Sequence, residues 1–137
     1  MAAPPPDPPT AEAARRRAPP PLVVAASLVA VEAILLVAQG VAEMFAVSGA
    51  RVVMGVSTAL FFMVYGAGLM FCAWAVTRLR SWARAPIVVA QLIQLLVAWS
   101  FRGGGTTPVA VALGLIAVLV LAGMFHPASI DALADDA

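Results

Sequence analysis

Four apolar stretches, residues 22–45, 52–77, 85–101 and 107–125, take up most of the chain, with only short connectors between them. Each is close to the roughly twenty residues a helix needs to cross a hydrocarbon core of about 30 Å. Hydrocarbon offers no water to satisfy backbone N–H and C=O groups, so apolar runs of this length must be helical. The connectors "SGAR", "RLRSWAR" and "RGGGTT" can join only neighbouring antiparallel helices. The expected fold is all-α, a polytopic up-down bundle of four transmembrane helices over residues 22–125. Composition agrees: 63% of the 137 residues are hydrophobic and 11% are charged, far from the balance of a soluble domain.

The flanks read differently. Residues 1–21, "MAAPPPDPPTAEAARRRAPPP", hold most of the prolines and little that could build a core, so a disordered, polyproline-like tail is expected there. Residues 126–137, "HPASIDALADDA", read as a short, solvated acidic tail carrying Asp131, Asp135 and Asp136. In it Ser129 is placed to cap an amphipathic turn that brings Ile130 and Leu133 to the membrane or the helix ends. Thr107 reads as the cap of the fourth helix, with Pro108 at its first position. A signal peptide fits poorly, because the first apolar run is longer than a secretory core and contains Glu32, Gln39 and Glu43.

Charge placement sets an orientation. All eight basic residues are arginines. Arg15, Arg16 and Arg17 precede the first helix and Arg78, Arg80 and Arg84 lie between the second and third, against Arg51 and Arg102 on the other side. That bias expects both termini in the cytoplasm of a plasma-membrane protein. Trp74, Trp82 and Phe125 then fall near the inner interface, and Phe45, Trp99 and Phe101 near the outer one.

The residues able to carry chemistry interrupt the first helix, in "VEAILLVAQGVAEMF". Glu32, Gln39 and Glu43 are spaced so that all three point within about 20° of one direction, forming a stripe roughly 16 Å long. Glu32 falls near mid-bilayer and Glu43 near the outer surface. Depth matching brings Tyr65 and Gln94 level with Glu32, Gln91 a turn below and Thr58 level with Gln39. Glu32 is expected to face the interior, neutral and hydrogen-bonded to Tyr65 or Gln94, because a lone buried charge costs several kcal/mol. Glu43 is expected to form a rim ion pair with Arg51 or Arg102. Ala110 with Gly114, and Gly68 with Cys72, read as small-residue packing pairs.

Much else is excluded. Cys72 and His126 are single, which rules out an intramolecular disulfide, bis-histidine haem ligation and a zinc or iron–sulfur cluster of the usual spacing. No basic face is large enough to suggest nucleic acid. No nucleophile–base pair or phosphate loop suggests an enzyme, and neither metal nor cofactor is expected. The expected surroundings are the lipid bilayer and a homo-oligomer or larger membrane-protein assembly.

The segment "RLRSWARAPIVVAQLIQLLVAWSF", residues 78–101, resembles small, uncharacterised integral membrane proteins of high-GC Gram-positive (actinobacterial) bacteria. That resemblance implies a bacterial plasma membrane and four helices, with no activity to transfer. The leading functional expectation is a non-enzymatic membrane protein that acts through helix packing, as accessory subunit or scaffold. The alternative is a small proton-coupled transporter using Glu32. Four short helices with a membrane-embedded glutamate in the first look like the small multidrug resistance transporters, although the residues around Glu32 do not reproduce their motif.

The arginine bias generates a test. Single cysteines at Ser48 and Thr106, in a chain lacking Cys72, should react with an impermeant reagent outside intact cells, whereas cysteines at Ser81 and Ser129 should not. Labelling of all four would show mixed orientation.

Overall fold

The computed structural model describes residues 1–4, 13 and 17–135. Arg15, Arg16, Asp136 and most of the expected N-terminal tail lie outside the described residues. Four long helices follow one another: α1 (Pro20–Ala46), α2 (Val52–Thr77), α3 (Arg84–Ser100) and α4 (Thr107–Met124), with a short α5 (Pro127–Ala134) after them. Single 3-10 turns, Gly49–Arg51, Ser81–Ala83 and Gly104–Thr106, link the long helices. With the turns that lead into α3 and α4, four segments are long and apolar enough to cross a membrane. Large apolar side chains are exposed on all four helices, among them Ile34, Leu35, Phe61, Val64, Leu96 and Leu115. An apolar exterior around a partly polar interior is the arrangement hydrocarbon demands. The chain is a small multi-pass membrane protein.

The helices pack antiparallel as two hairpins. α1 lies along α2 and α3 along α4, while α1 also touches α4 and α2 touches α3. The bundle is thus a square in which α1 and α3 stand diagonally opposite, their backbones apart along most of their length. Leu22, Ala25, Ala26 and Val29 of α1 join Leu69, Ala73 and Val76 of α2, Ile87 and Ala90 of α3, and Val120 and Met124 of α4 in one core. That core fills the end of the bundle where α1 begins and α4 finishes.

Close approach makes the first hairpin. A Cβ added to Gly40 would lie 2.8 Å from the Ala59 carbonyl oxygen, and one added to Gly66 would lie 2.8 Å from that of Ala33. The contact is reciprocal: Met63 covers Gly40 and Val37 covers Gly66. The octets "AILLVAQG" (33–40) and "ALFFMVYG" (59–66) match in pattern, so each helix offers the other the same surface, an alanine carbonyl, a branched or flexible apolar side chain and a glycine. Lipid tails are as apolar as the side chains, so such backbone contact, rather than burial from water, holds helices together here. Gly123 plays the same part between α4 and α1, close to the Pro21 carbonyl.

Several local expectations are corrected. Gly68 faces outward with nothing near its missing Cβ, so Gly66, not Gly68, is the packing glycine of α2. Thr107 does not cap α4. The N-cap is Thr106, whose hydroxyl donates backward to the Phe101 and Gly103 carbonyls, while that of Thr107 donates to Gly104. Residues 127–134 are helical and packed on α1 and α4 rather than a free tail. His126 caps α5 by accepting from the Ala128 N–H, and Ser129 and Leu133 are buried beneath the bundle end. A labelling probe for that end therefore belongs at the exposed Asp131, not Ser129.

α2 stops in a Schellman arrangement, with the Arg80 N–H on the Ala75 carbonyl and that of Leu79 on Val76. Leu79 occupies the left-handed position (φ 59°) usually given to glycine, at a cost of about 1–2 kcal/mol. Its side chain packs against the core, which offsets the strain and fixes the turn into α3.

Gly40→Ala and Gly66→Ala should each destabilise the bundle by about 1–3 kcal/mol, because backbone atoms cannot yield cheaply. Gly68→Ala should leave unfolding in mixed detergent unchanged.

Candidate functional site

At the outer edge of the core, one cluster of polar side chains crosses the bundle. Glu32 is 7% exposed and Gln91 fully buried. Gln91 Nε2 donates to Glu32 Oε2 at 2.7 Å, and Gln94 Nε2 donates to Glu32 Oε1 at 2.6 Å. The same Gln94 nitrogen donates to the Leu113 carbonyl of α4 at 3.1 Å. Three residues apart on α3, the two amides share a helix face and reach both oxygens of one carboxyl group. The cluster therefore ties α1 to the helix diagonally opposite it and on to α4. One atom is left over: Gln91 Oε1 is buried without a donor among the described residues.

Tyr65 does not join this cluster. Its hydroxyl has no hydrogen-bond partner among the described residues, and its ring stacks on Phe61, one turn earlier on α2, at 5.6 Å and 8° between planes. Both rings line an apolar groove on the outer surface of α2 with Ser57, Leu60 and Val64. The half-buried tyrosine packs against the core and stacks on Phe61, with no hydrogen bond to Glu32.

Gln39 and Glu43 are also separate from it. Gln39 is exposed and donates to Glu43 Oε1 at 3.1 Å. They share a helix face with Glu32, so their exposure must come from what stands opposite. α1 and α2 have 27 and 26 residues, whereas α3 and α4 have 17 and 18, or about 40 Å against about 26 Å of helix. The hairpins share their core at one end. The first hairpin therefore overhangs the second at the other. Gln39 lies about 10 Å beyond Glu32, level with the end of α3, and Glu43 lies farther out.

The rim ion pair is not formed: among the described residues no arginine nitrogen lies within 4.0 Å of a carboxylate oxygen. Arg102 lies instead over the Trp99 ring, 3.4 Å from its centroid. Arg51 shares an open pocket with Glu43 without touching it. The opposite end of the bundle shows the same preference for aromatics. Arg78 lies over Trp74 at 5.1 Å, and Arg84 over Phe125 at 4.7 Å, which links the start of α3 to the end of α4. Trp82 and Trp74 both contact Phe71. Arg17 and Arg80 are exposed. Cation–π contact of this kind contributes about 0.5–1 kcal/mol at exposed sites.

Sequence reasoning could not find the Leu113 carbonyl, because a backbone acceptor leaves no residue signature. It also missed Gln91 as a direct partner of Glu32, since rise alone puts Gln91 a turn too low.

The bonding pattern yields a prediction. Glu32→Gln should fold normally, because an amide can still hydrogen-bond, whereas Glu32→Leu should loosen the bundle by about 1 kcal/mol. A double-mutant cycle of Glu32→Leu with Gln91→Leu, read by unfolding in detergent, should show coupling of about 0.5–1.5 kcal/mol. Comparison with protein-family models, curated proteins and solved structures finds no match, so the chemistry of the chain is read from its own residues.

Proposed function

We propose that this chain is a non-enzymatic membrane protein working through helix packing, as a small scaffold or accessory subunit of a homo-oligomer or larger assembly in the plasma membrane. The observation that carries the reading is the saturation of Glu32, whose two oxygens are taken by amide donors inside the bundle. A carboxyl group held in that way contributes to a fixed helix arrangement rather than to turnover. The six-to-two arginine bias supports cytoplasmic termini, and four antiparallel spans accord with that orientation.

One observation favours a second reading, a proton-coupled transporter. Glu32 is a carboxyl-bearing residue buried among the spanning helices, and residues of that kind mark proton pathways in membranes. Glu32 would then be a membrane-embedded proton carrier. Flux across reconstituted vesicles under an imposed pH gradient separates the two. The scaffold reading expects no proton flux above protein-free vesicles, and native mass spectrometry of extracted membranes should find the chain in a stoichiometric assembly that survives Glu32→Gln and is weakened by Glu32→Leu. Proton-linked transport that disappears in a folded Glu32→Gln variant would overturn it.

A further inference from the structure

The overhanging end of the first hairpin carries a pocket of about 390 Å³, lined by Glu43, Ser48, Arg51 and Thr58 among the apolar Ala46, Val47, Met54 and Gly55. We propose that it binds the headgroup of a phospholipid bearing a primary amine, with Arg51 on the phosphate and Glu43 on the ammonium. Opposite charges facing one cavity normally close on each other, yet here they stand apart, and neither finds another ion partner among the described residues. The Arg51 side chain and the hydroxyls of Ser48 and Thr58 have no hydrogen-bond partner among those residues. Glu43 accepts only from Gln39, through one oxygen. Donors and acceptor alike are open toward the same space.

Their order matches a zwitterion. At the turn that leads into α2, the Arg51 side chain and the hydroxyls of Ser48 and Thr58 make up the anion subsite. Arginine suits phosphate because its planar donor fork can engage two oxygens. Glu43 supplies the cation subsite, and its unpartnered oxygen accepts a hydrogen bond only from an amine that keeps its N–H groups. A trimethylated headgroup has none, and a glycerol headgroup has no cation. Gln39 is then a positioning residue, holding the carboxylate of Glu43 by its other oxygen.

The location points to a lipid rather than a free phosphoamine. The second hairpin reaches about 26 Å, close to the hydrocarbon thickness, so the overhang of the first lies at headgroup depth. At and beside the pocket, Met54, Phe45 and Val53 are 72%, 87% and 83% exposed, an apolar surface at the membrane boundary next to the charges.

The test is native mass spectrometry of the full chain offered equimolar phosphatidylethanolamine, phosphatidylcholine and phosphatidylglycerol. Retention of the ethanolamine lipid should exceed that of each of the others by about tenfold, the worth of one charge-assisted hydrogen bond. Glu43→Gln should erase the preference over the choline lipid, Arg51→Gln should lower retention of all three, and Arg51→Lys should restore part of it. These side chains bridge no helices, so unchanged unfolding midpoints are expected and separate lost binding from lost fold. Equal retention by the unaltered chain, or a preference that survives Glu43→Gln, would overturn the site. Soluble phosphoethanolamine binding as tightly as the lipid would overturn its lipid source.

Discussion

A carboxyl group in hydrocarbon has only the protein to bond with, and this constraint organises the bundle. Glu32 cannot face lipid, so α1 must turn that side toward α3, and the two glutamines of α3 must turn toward α1. Once both rotations are fixed, the small residues on the neighbouring faces fall into place. Ala33 and Gly40 meet α2, Ala25 meets Gly123 of α4, and a Cβ added to Gly114 would lie 3.9 Å from that of Ala98. Apolar packing alone is weakly directional in a membrane, where lipid competes on equal terms. The polar tie selects one rotation of each helix from many that would pack about as well.

The architecture was readable because length and hydropathy dictate it: four apolar runs with short joints permit little besides two antiparallel hairpins. The buried half of the candidate site was partly readable for the same reason. Helix rise brings Gln94 to the depth of Glu32, and its amide nitrogen lies 2.6 Å away. What failed were inferences that took the helices as equally long and centred. On that assumption Gln39 belongs to an interior stripe, whereas the shorter second hairpin leaves it exposed beside Glu43. Tyr65 and Arg102 failed for a different reason, since each rests on an aromatic ring close to it in sequence, Phe61 and Trp99. Ser129 and Leu133 show how eight residues that read as solvated become a plug once a helix end is available to cover.

The two ends of the bundle consequently differ in character. Where α1 begins, side chains from five helices close into one core, with Leu22, Ile87, Val120 and Met124 all fully buried. Beyond Glu32, α1 buries only Ala33 and Gly40, and both meet α2. Order is therefore greatest at one end, and the polar tie marks the border.

The unequal hairpins also act on the surrounding lipid. Val41, Met44, Phe45, Val52, Val53 and Met54 are exposed on the longer one, beyond the level at which α3 and α4 finish. An apolar stretch that exceeds the local hydrocarbon thickness tilts or thickens the bilayer around it, at fractions of a kcal/mol per ångström of mismatch. With Glu43 and Arg51 at headgroup depth, the apolar side chains beside them draw the bilayer surface outward on that face alone. Such a molecule deforms a uniform membrane on one side only, and it is least strained at a border between thick and thin lipid domains or beside a second protein whose own span differs from its surroundings.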